Sequence, residues 1–304
     1  MGSPNLQDRW WSSETVAVVT GANKGLGFEI VRRLAVEGLT VILTARDERR
    51  GLESTRELHG QGFRNVVFRT LDTSSGESVE DFADWLRYAY GGLDILVNNA
   101  AIFHNDNKYE SAVETVRINY QGTINVIEKL LPMFRVSSAG ARIVTLTSWA
   151  GRLFSINDES LRQQLVDENE FDQDFLDSVV QRYVQACRTG DGGPNGYANN
   201  AYRFSKVMIN SYLRLLAERL ANRPDGHKIY VHNAHPGFVH TDMHKKLKQC
   251  MDNETYIREV ARGRFGSEEL IDVEEGADTP IWLCLVPDIP SGLLWSKRQV
   301  MSYL

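Results

Sequence analysis

From Val16 to Gly27 the chain reads Val-Ala-Val-Val-Thr-Gly-Ala-Asn-Lys-Gly-Leu-Gly, and few folds accommodate such a run. The β-branched apolar residues read as a buried strand, and the glycines read as a tight turn that opens into a helix. Gly21 suits the sharp turn, Gly25 lets backbone approach a pyrophosphate, and Gly27 lets helix and strand pack closely. Asn23, Lys24 and Leu26 fill the turn. The first turn of the helix then offers free N–H groups and a positive dipole end to phosphates. The spacing differs from GxGxxG, the general dinucleotide fingerprint.

Further β-branched runs follow, at Val41–Thr44, Val66–Phe68, Ile95–Val97, Ile143–Thr147 and Ile229–Asn233, with Val16–Thr20 as the first. Helical patterns lie between them, such as Phe28–Glu37 and Glu77–Tyr88. This alternation predicts an α/β fold: a doubly wound parallel sheet of Rossmann type, in three α/β/α layers. One catalytic domain is expected over 14–304, preceded by a tail at 1–13. The tail is polar apart from Met1, Leu6, Trp10 and Trp11, so it lacks the apolar core of a signal peptide and reads as loose.

The rhythm breaks between Ser148 and Tyr202. Leu161, Leu165, Phe171, Phe175, Leu176, Val179 and Val180 predict one or two amphipathic helices, and Gly190–Gly196 a glycine-rich loop. The stretch, about 152–198, is too short for a second domain and reads as a helical insertion before the active-site helix.

Charge and cysteines narrow the partners. The net charge is -6 with no basic arm, which argues against nucleic acid or an anionic membrane. No stretch has the apolar length of a membrane span. Cys187, Cys250 and Cys284 are scattered, so neither a zinc site nor a disulfide framework is expected, and reduced thiols fit the cytoplasm. His240, Asp242 and His244 fall on one helical face near His232 and His235. The chemistry derived below needs no metal, and none is expected.

The second strand ends in Ala45–Arg46, where an acidic residue would select NAD and an arginine NADP. Arg46, with Lys24 in the glycine turn, favours the 2′-phosphate of NADPH. Asp47 competes as a ribose acceptor but reads better as the N-cap of the next helix. Tyr202 and Lys206 stand one helical turn apart on one face. A tyrosine is a poor acid–base group at neutral pH, and a neighbouring ammonium is expected to draw its pKa down. Ser148 follows a strand and therefore sits at the carboxyl edge of the sheet, where such folds bind ligands.

The turn also matches the TGxxxGxG pattern of the short-chain dehydrogenase/reductase superfamily, and the chain resembles it from about Thr15 to Trp295. The resemblance implies that Tyr202 protonates a carbonyl oxygen, that Ser148 hydrogen-bonds that oxygen, and that Lys206 holds the nicotinamide ribose. It implies that Asn119 anchors a water serving Lys206. It assigns cofactor contacts to Asp72 and Thr73, to Asn98 and Ala100 in Asn98–Asn99–Ala100–Ala101, and to Pro236, Gly237, Val239 and Thr241. Ala101 replaces the usual glycine, which matters only if that position needs positive φ. The long insertion, the glycine turn continuing into Phe28–Glu29–Ile30, and Pro287–Asp288–Ile289–Pro290–Ser291–Gly292 resemble the monomeric carbonyl reductases and their plant salutaridine and menthone reductase relatives. Phe204, between Tyr202 and Lys206, departs from the small residues usual there and either walls the pocket or packs in the core.

The implied activity is NADPH-dependent reduction of a ketone or aldehyde to an alcohol, on a small-molecule carbonyl substrate. The alternative is a non-catalytic NADPH-binding sensor or interaction protein. Phe103, Trp149, Phe238 and Met243 are candidates for an apolar substrate pocket. A monomer is expected, with the insertion both covering the outer face of the active-site helix and roofing the pocket beside Trp149.

Overall fold

A computed structural model describes residues 9–191, 196–261 and 269–304. The strands are β1 (Val16–Val19), β2 (Thr40–Ala45), β3 (Val66–Thr70), β4 (Ile95–Asn98), β5 (Ala141–Leu146), β6 (Ile229–Ala234), β7 (Phe238–Val239), β8 (Leu270–Ile271), β9 (Leu293–Ser296) and β10 (Gln299–Met301). The helices are α1 (Gly25–Val36), α2 (Glu48–Gly60), α3 (Gly76–Tyr90), α4 (Tyr109–Val116), α5 (Thr123–Leu130), α6 (Glu159–Gln164), α7 (Gln173–Thr189), α8 (Ala201–Leu220), α9 (Asp242–Gln249), α10 (Asn253–Ala261) and α11 (Val273–Leu285).

Eight strands form one sheet in the order β10-β9-β6-β5-β4-β1-β2-β3, parallel except for β10, while β7 and β8 make a small separate pair. Alternate strand residues serve opposite faces. Val16, Val18, Ile42, Leu96, Ile143 and Val231 pack with α3, α4, α5 and α8. Ala17, Val19, Val41, Leu43, Ile95, Val97, Val144 and Ala234 pack with α1, α2 and α11. The strand order reverses between β1 and β4, and the carboxyl edge opens there into a cleft.

Local chemistry sets the helix starts. Asp47 accepts from the Arg50 N–H (3.0 Å) and so caps α2, Asn200 accepts from Arg203 (2.9 Å) at α8, and Asp172 accepts from Phe175 (2.8 Å) at α7. The insertion folds as α6 and α7; α7 packs on α4 and α8, Arg214 of α8 donates to the Leu165 carbonyl at the end of α6, and Leu161, Leu165, Phe171 and Leu176 are buried. Tyr183 of α7 stacks on Phe204 of α8 with centroids 3.7 Å apart, so Phe204 packs in the core and is fully buried. Of the loop expected at Gly190–Gly196, residues 192–195 lie outside the described residues.

Two expectations about the layout of the chain need correction. The loose-tail reading fails from Arg9 onward: Trp11 is buried, the Trp10 indole donates to the Leu285 carbonyl (2.9 Å), and the Arg142 guanidinium lies 3.9 Å over the Trp10 ring. Two tryptophans bury more area against α11 and the sheet than a solvated tail would. The other concerns the roof of the cleft, which no described residue of the insertion lines. Beyond Trp295, within the single domain expected over 14–304, β10 turns back on β9 through Lys297 and Arg298, both at positive φ.

Candidate active site

The carboxyl edge of the sheet holds a cleft of about 1030 Å³. One end is built by the glycine turn. Gly21 has φ +61°, and a Cβ there would lie 2.8 Å from Ala100 Cα, so only glycine fits. Gly25 is open towards the cleft, with Thr241 Cγ2 the nearest atom to an added Cβ at 3.8 Å. Gly27 faces away from the cleft, and its Cβ would strike the Asn99 amide at 2.4 Å. Helix α1 has no side-chain cap and no acidic residue in its first turn, so its leading N–H groups face the cleft without a protein acceptor.

Arg46, Asp47 and Arg50 line the same end. Asp47 is occupied as the α2 cap, which holds its carboxyl below the usual range. Lys24 does not stand alone: its ammonium meets Asp242, the first residue of α9, at 2.7 Å across the mouth. Arg50 was missed because it lies a helical turn beyond the strand end, within α2.

Asp72, Thr73, Ala100, Pro236, Gly237, Val239 and Thr241 also line the cleft. Asn98 and Gly27 do not. Asn98 is buried and donates to Thr145 Oγ1 (3.2 Å), whereas its neighbour Asn99 lines the cleft and donates to the Thr20 and Gly21 carbonyls (2.9 and 3.0 Å). Adjacent residues at a strand end point to opposite faces, and only one of the pair reaches the ligand side. Ala101 does not adopt positive φ, so the missing glycine carries no strain.

Ser148, Tyr202 and Lys206 converge in the middle of the cleft. Ser148 lies two residues past the end of β5 and caps the short turn Trp149–Gly151 by accepting from the Ala150 N–H (3.1 Å). Lys206 is buried and donates to the Leu146 carbonyl (2.8 Å), with its nitrogen 5.6 Å from the Tyr202 ring centroid. Burial pushes the Tyr202 hydroxyl up to about 12, opposed by a hydrogen bond with Ser148 and by the Arg203 guanidinium. Burial pushes the Lys206 ammonium down to about 8. The expected lowering of the tyrosine by the lysine is not found: burial dominates at both groups, and Ser148 and Arg203, rather than Lys206, oppose it at the phenol. Asn119 sits behind this group at a π-turn, Arg117–Gly122, between α4 and α5. Its amide pairs with Ile102, accepting at 2.8 Å and donating at 2.9 Å, and donates to Ser205 Oγ at 3.1 Å.

Phe103, Trp149, Phe238 and Met243 all line the far end, with Phe103 edge-on to Tyr202 at 5.3 Å. The roof is not the insertion: among its described residues, none lines the cleft. Instead α9, α10 and the link between them supply His244, Leu247, Met251, Thr255, Arg258 and Glu259. Met243, Leu247 and Met251 recur every four residues, a helical stripe that was readable but sat among lysines. His244 shares a 2.8 Å hydrogen bond with Tyr256, and His235 lies buried in the floor. Among the described residues no group of three His, Cys, Asp or Glu side chains is placed to hold a metal ion, and no helix is long and apolar enough to cross a membrane.

The short chain dehydrogenase family model matches residues 15–158. Short-chain dehydrogenase/reductase 1 of Saponaria officinalis is 33% identical, covering 94% of this chain and 95% of its own. Carbonyl reductase (NADPH) 1 of Sus scrofa is 32% identical, covering 96% of this chain and 95% of its own. Among solved structures, salutaridine reductase from Papaver somniferum superposes with a TM-score of 0.76 at 29% identity, over 92% of this chain and 99% of that one. A glycine turn on an uncapped helix and a Ser-Tyr-Lys group at the sheet edge thus coincide with full-length similarity: the chain belongs to the short-chain dehydrogenase/reductase family of oxidoreductases, in its salutaridine and menthone reductase-like branch.

Proposed function

We propose that this chain reduces a ketone or aldehyde to an alcohol with NADPH. The observation that carries the reading is the convergence of Ser148, Tyr202 and Lys206 on one wall of a cleft whose other end is built for phosphate. The cradle fits the cofactor on its own terms: Gly21 and Gly25 keep the turn open, α1 presents free N–H groups, and Arg46 and Arg50 stand at the second strand's end, where a 2′-phosphate would lie. When bound, the nicotinamide supplies the hydride. Ser148 orients the carbonyl oxygen, and Tyr202, held protonated by burial, delivers the proton to it. Lys206 carries positive charge beside the phenol, which favours its loss of a proton, and Asn119 fixes the strand-to-helix link behind it. Phe103, Trp149, Phe238 and Met243 exclude water from the carbonyl and favour an apolar substrate.

The presence of the whole proton-transfer group disfavours a non-catalytic sensor. Packing of α7 on α4 and α8 supports a monomer, because the surface it covers is no longer available to a two-fold partner. The test is NADPH oxidation by the purified chain over a panel of cyclic terpenoid ketones, alkaloid ketones, quinones and aliphatic aldehydes, with NADH as the comparator. Binding of NADPH without turnover of any of these would favour the sensor instead.

A further inference from the structure

Ser148 is carried on a turn rather than on the regular part of β5, so something other than the strand ladder must fix its hydroxyl against Tyr202. The turn closes on itself when the Gly151 N–H donates to the Ser148 carbonyl at 2.8 Å. Its other side rests on α8: a Cβ at Gly151 would lie 2.7 Å from the Lys206 carbonyl oxygen and 2.6 Å from the Asn210 amide nitrogen. Asn210 lies one turn beyond Lys206 on the same helix and is buried. Its amide donates to the Gly151 carbonyl at 2.9 Å, and its oxygen accepts from Asn233 of β6 at 3.3 Å. Asn233 also donates to the Tyr303 hydroxyl (2.6 Å), which donates to the Gly292 carbonyl (3.0 Å). The Tyr303 carbonyl in turn accepts from the Leu153 N–H at 2.6 Å, just past the same turn. A fully buried amide with both ends used is rigid, because losing either partner strands a polar group away from water.

We propose that Asn210 is a positioning residue for the reductase reaction: by clamping Gly151 to α8, it sets the hydroxyl of Ser148 against Tyr202 one helical turn away from Lys206. Tyr303 acts behind it, through Asn233. Neither side chain lines the cleft, so neither touches substrate. The inference rests on the reductase reading for its catalytic consequence but not for the clamp itself.

Two measurements separate the clamp from the chemistry. Asn210→Asp keeps the shape but replaces the donor with an acceptor facing the Gly151 carbonyl. In the free protein, amide hydrogen exchange over Trp149–Leu153 should quicken about tenfold while α1 and α2 stay unchanged; unchanged exchange over that turn overturns the clamp. With cofactor and a ketone that the unaltered chain turns over, kcat should fall about tenfold while the Kd for NADPH holds within twofold. The loss should vanish when Ser148→Ala is already present, since the clamp acts through Ser148. An equal loss in both backgrounds, or turnover within twofold of the unaltered chain, overturns the positioning role. Should Asn210→Asp not fold, Tyr303→Phe decides: a severalfold loss of kcat that also disappears with Ser148→Ala supports the network, and no loss overturns it. Absence of any turnover by the unaltered chain defeats the functional reading and the catalytic role together, while the exchange result still stands for or against the clamp.

Discussion

Lys24 and Asp242 join the two sides of the cleft mouth, the glycine turn and the roof helix α9, by an ion pair of 2.7 Å. Both side chains are more than half exposed, so the pair itself contributes little to stability. Its interest lies in competition. The cation that would meet a 2′-phosphate is already shared with a carboxylate, whose pKa is lowered by that contact. Asp242→Asn should therefore tighten NADPH binding by about two- to fivefold and leave NADH almost unaffected. Fluorescence titration with both cofactors checks this, and equal changes for the two would show that Lys24 does not read the extra phosphate.

Among the described residues no carboxylate forms an ion pair with Arg46 at the cleft edge, and it should matter more. Arg46→Ala removes a charge-assisted contact of about 1.5–3 kcal/mol. The Kd for NADPH should rise about ten- to a hundredfold, with that for NADH barely moving. Equal weakening of both cofactors would point to Arg50, one turn into α2, as the phosphate partner instead.

Removing the phenol oxygen with Tyr202→Phe should lower turnover at least about a hundredfold and spare NADPH binding, since positioned acid catalysis supplies roughly 10²–10⁴. Lys206→Met should abolish turnover too, with an opposite effect on stability. The ammonium is held at about 8 in the folded chain against 10.5 unfolded, so the folded protein resists its proton. Stability contributed by this site rises as pH goes from about 8 to 10.5, and at pH 7 the charge is a burden. The methionine variant should melt a few degrees higher at pH 7, read by calorimetry. A lower melting temperature would mean that the bond to the Leu146 carbonyl outweighs burial.

Acid sensitivity should come from two histidines outside the proton-transfer group. Burial pushes His232 down to about 3, with Arg142 adding to it, and His235 down to about 4, against 6.5 for the unfolded side chain. Between about 4 and 6.5 the unfolded chain binds protons that the folded chain refuses. The chain is then expected to hold full stability from these sites above 6.5 and to lose it as pH falls below. The urea midpoint should drop steeply from pH 7 to pH 5, and His232→Leu should flatten that slope; an unchanged slope would remove His232 from the account.

The insertion makes an assembly prediction. Helix α7 packs on α4 and α8, and Leu161, Leu165, Phe171 and Leu176 of the insertion are buried, so a second copy would not find that surface open. Light scattering at several concentrations should give a single mass near 34.4 kDa. A dimer mass that survives dilution would show that another face assembles the protein.

The sheet and the meeting of Ser148, Tyr202 and Lys206 in one cleft were legible because each rests on a local signal: β-branched runs, a glycine turn, and a tyrosine and lysine one turn apart. What escaped depends on distant partners. Asn98 and Asn99 are chemically identical neighbours, and only the register of β4 decides that Asn99 reaches the glycine turn while Asn98 faces Thr145. Trp10 and Trp11 sit in a polar stretch with no period, and their burial comes from α11 and Arg142, far away in sequence. The roof was assigned to the longest unexplained segment, yet the apolar stripe of Met243, Leu247 and Met251, interrupted by lysines, provides it.

The stack of Tyr183 on Phe204 has a consequence for anyone who would trim this scaffold. Phe204 lies between Tyr202 and Lys206 in the chain, so the ring on which α7 is stacked is a spoke of the very helix that carries them. Deleting 159–189 alone would bare that ring and its apolar neighbours to water and invite aggregation before it produced a smaller enzyme. A shorter version is reachable only if Phe204 is made small in the same step, which couples the architecture of the periphery to a residue at the heart of the machine.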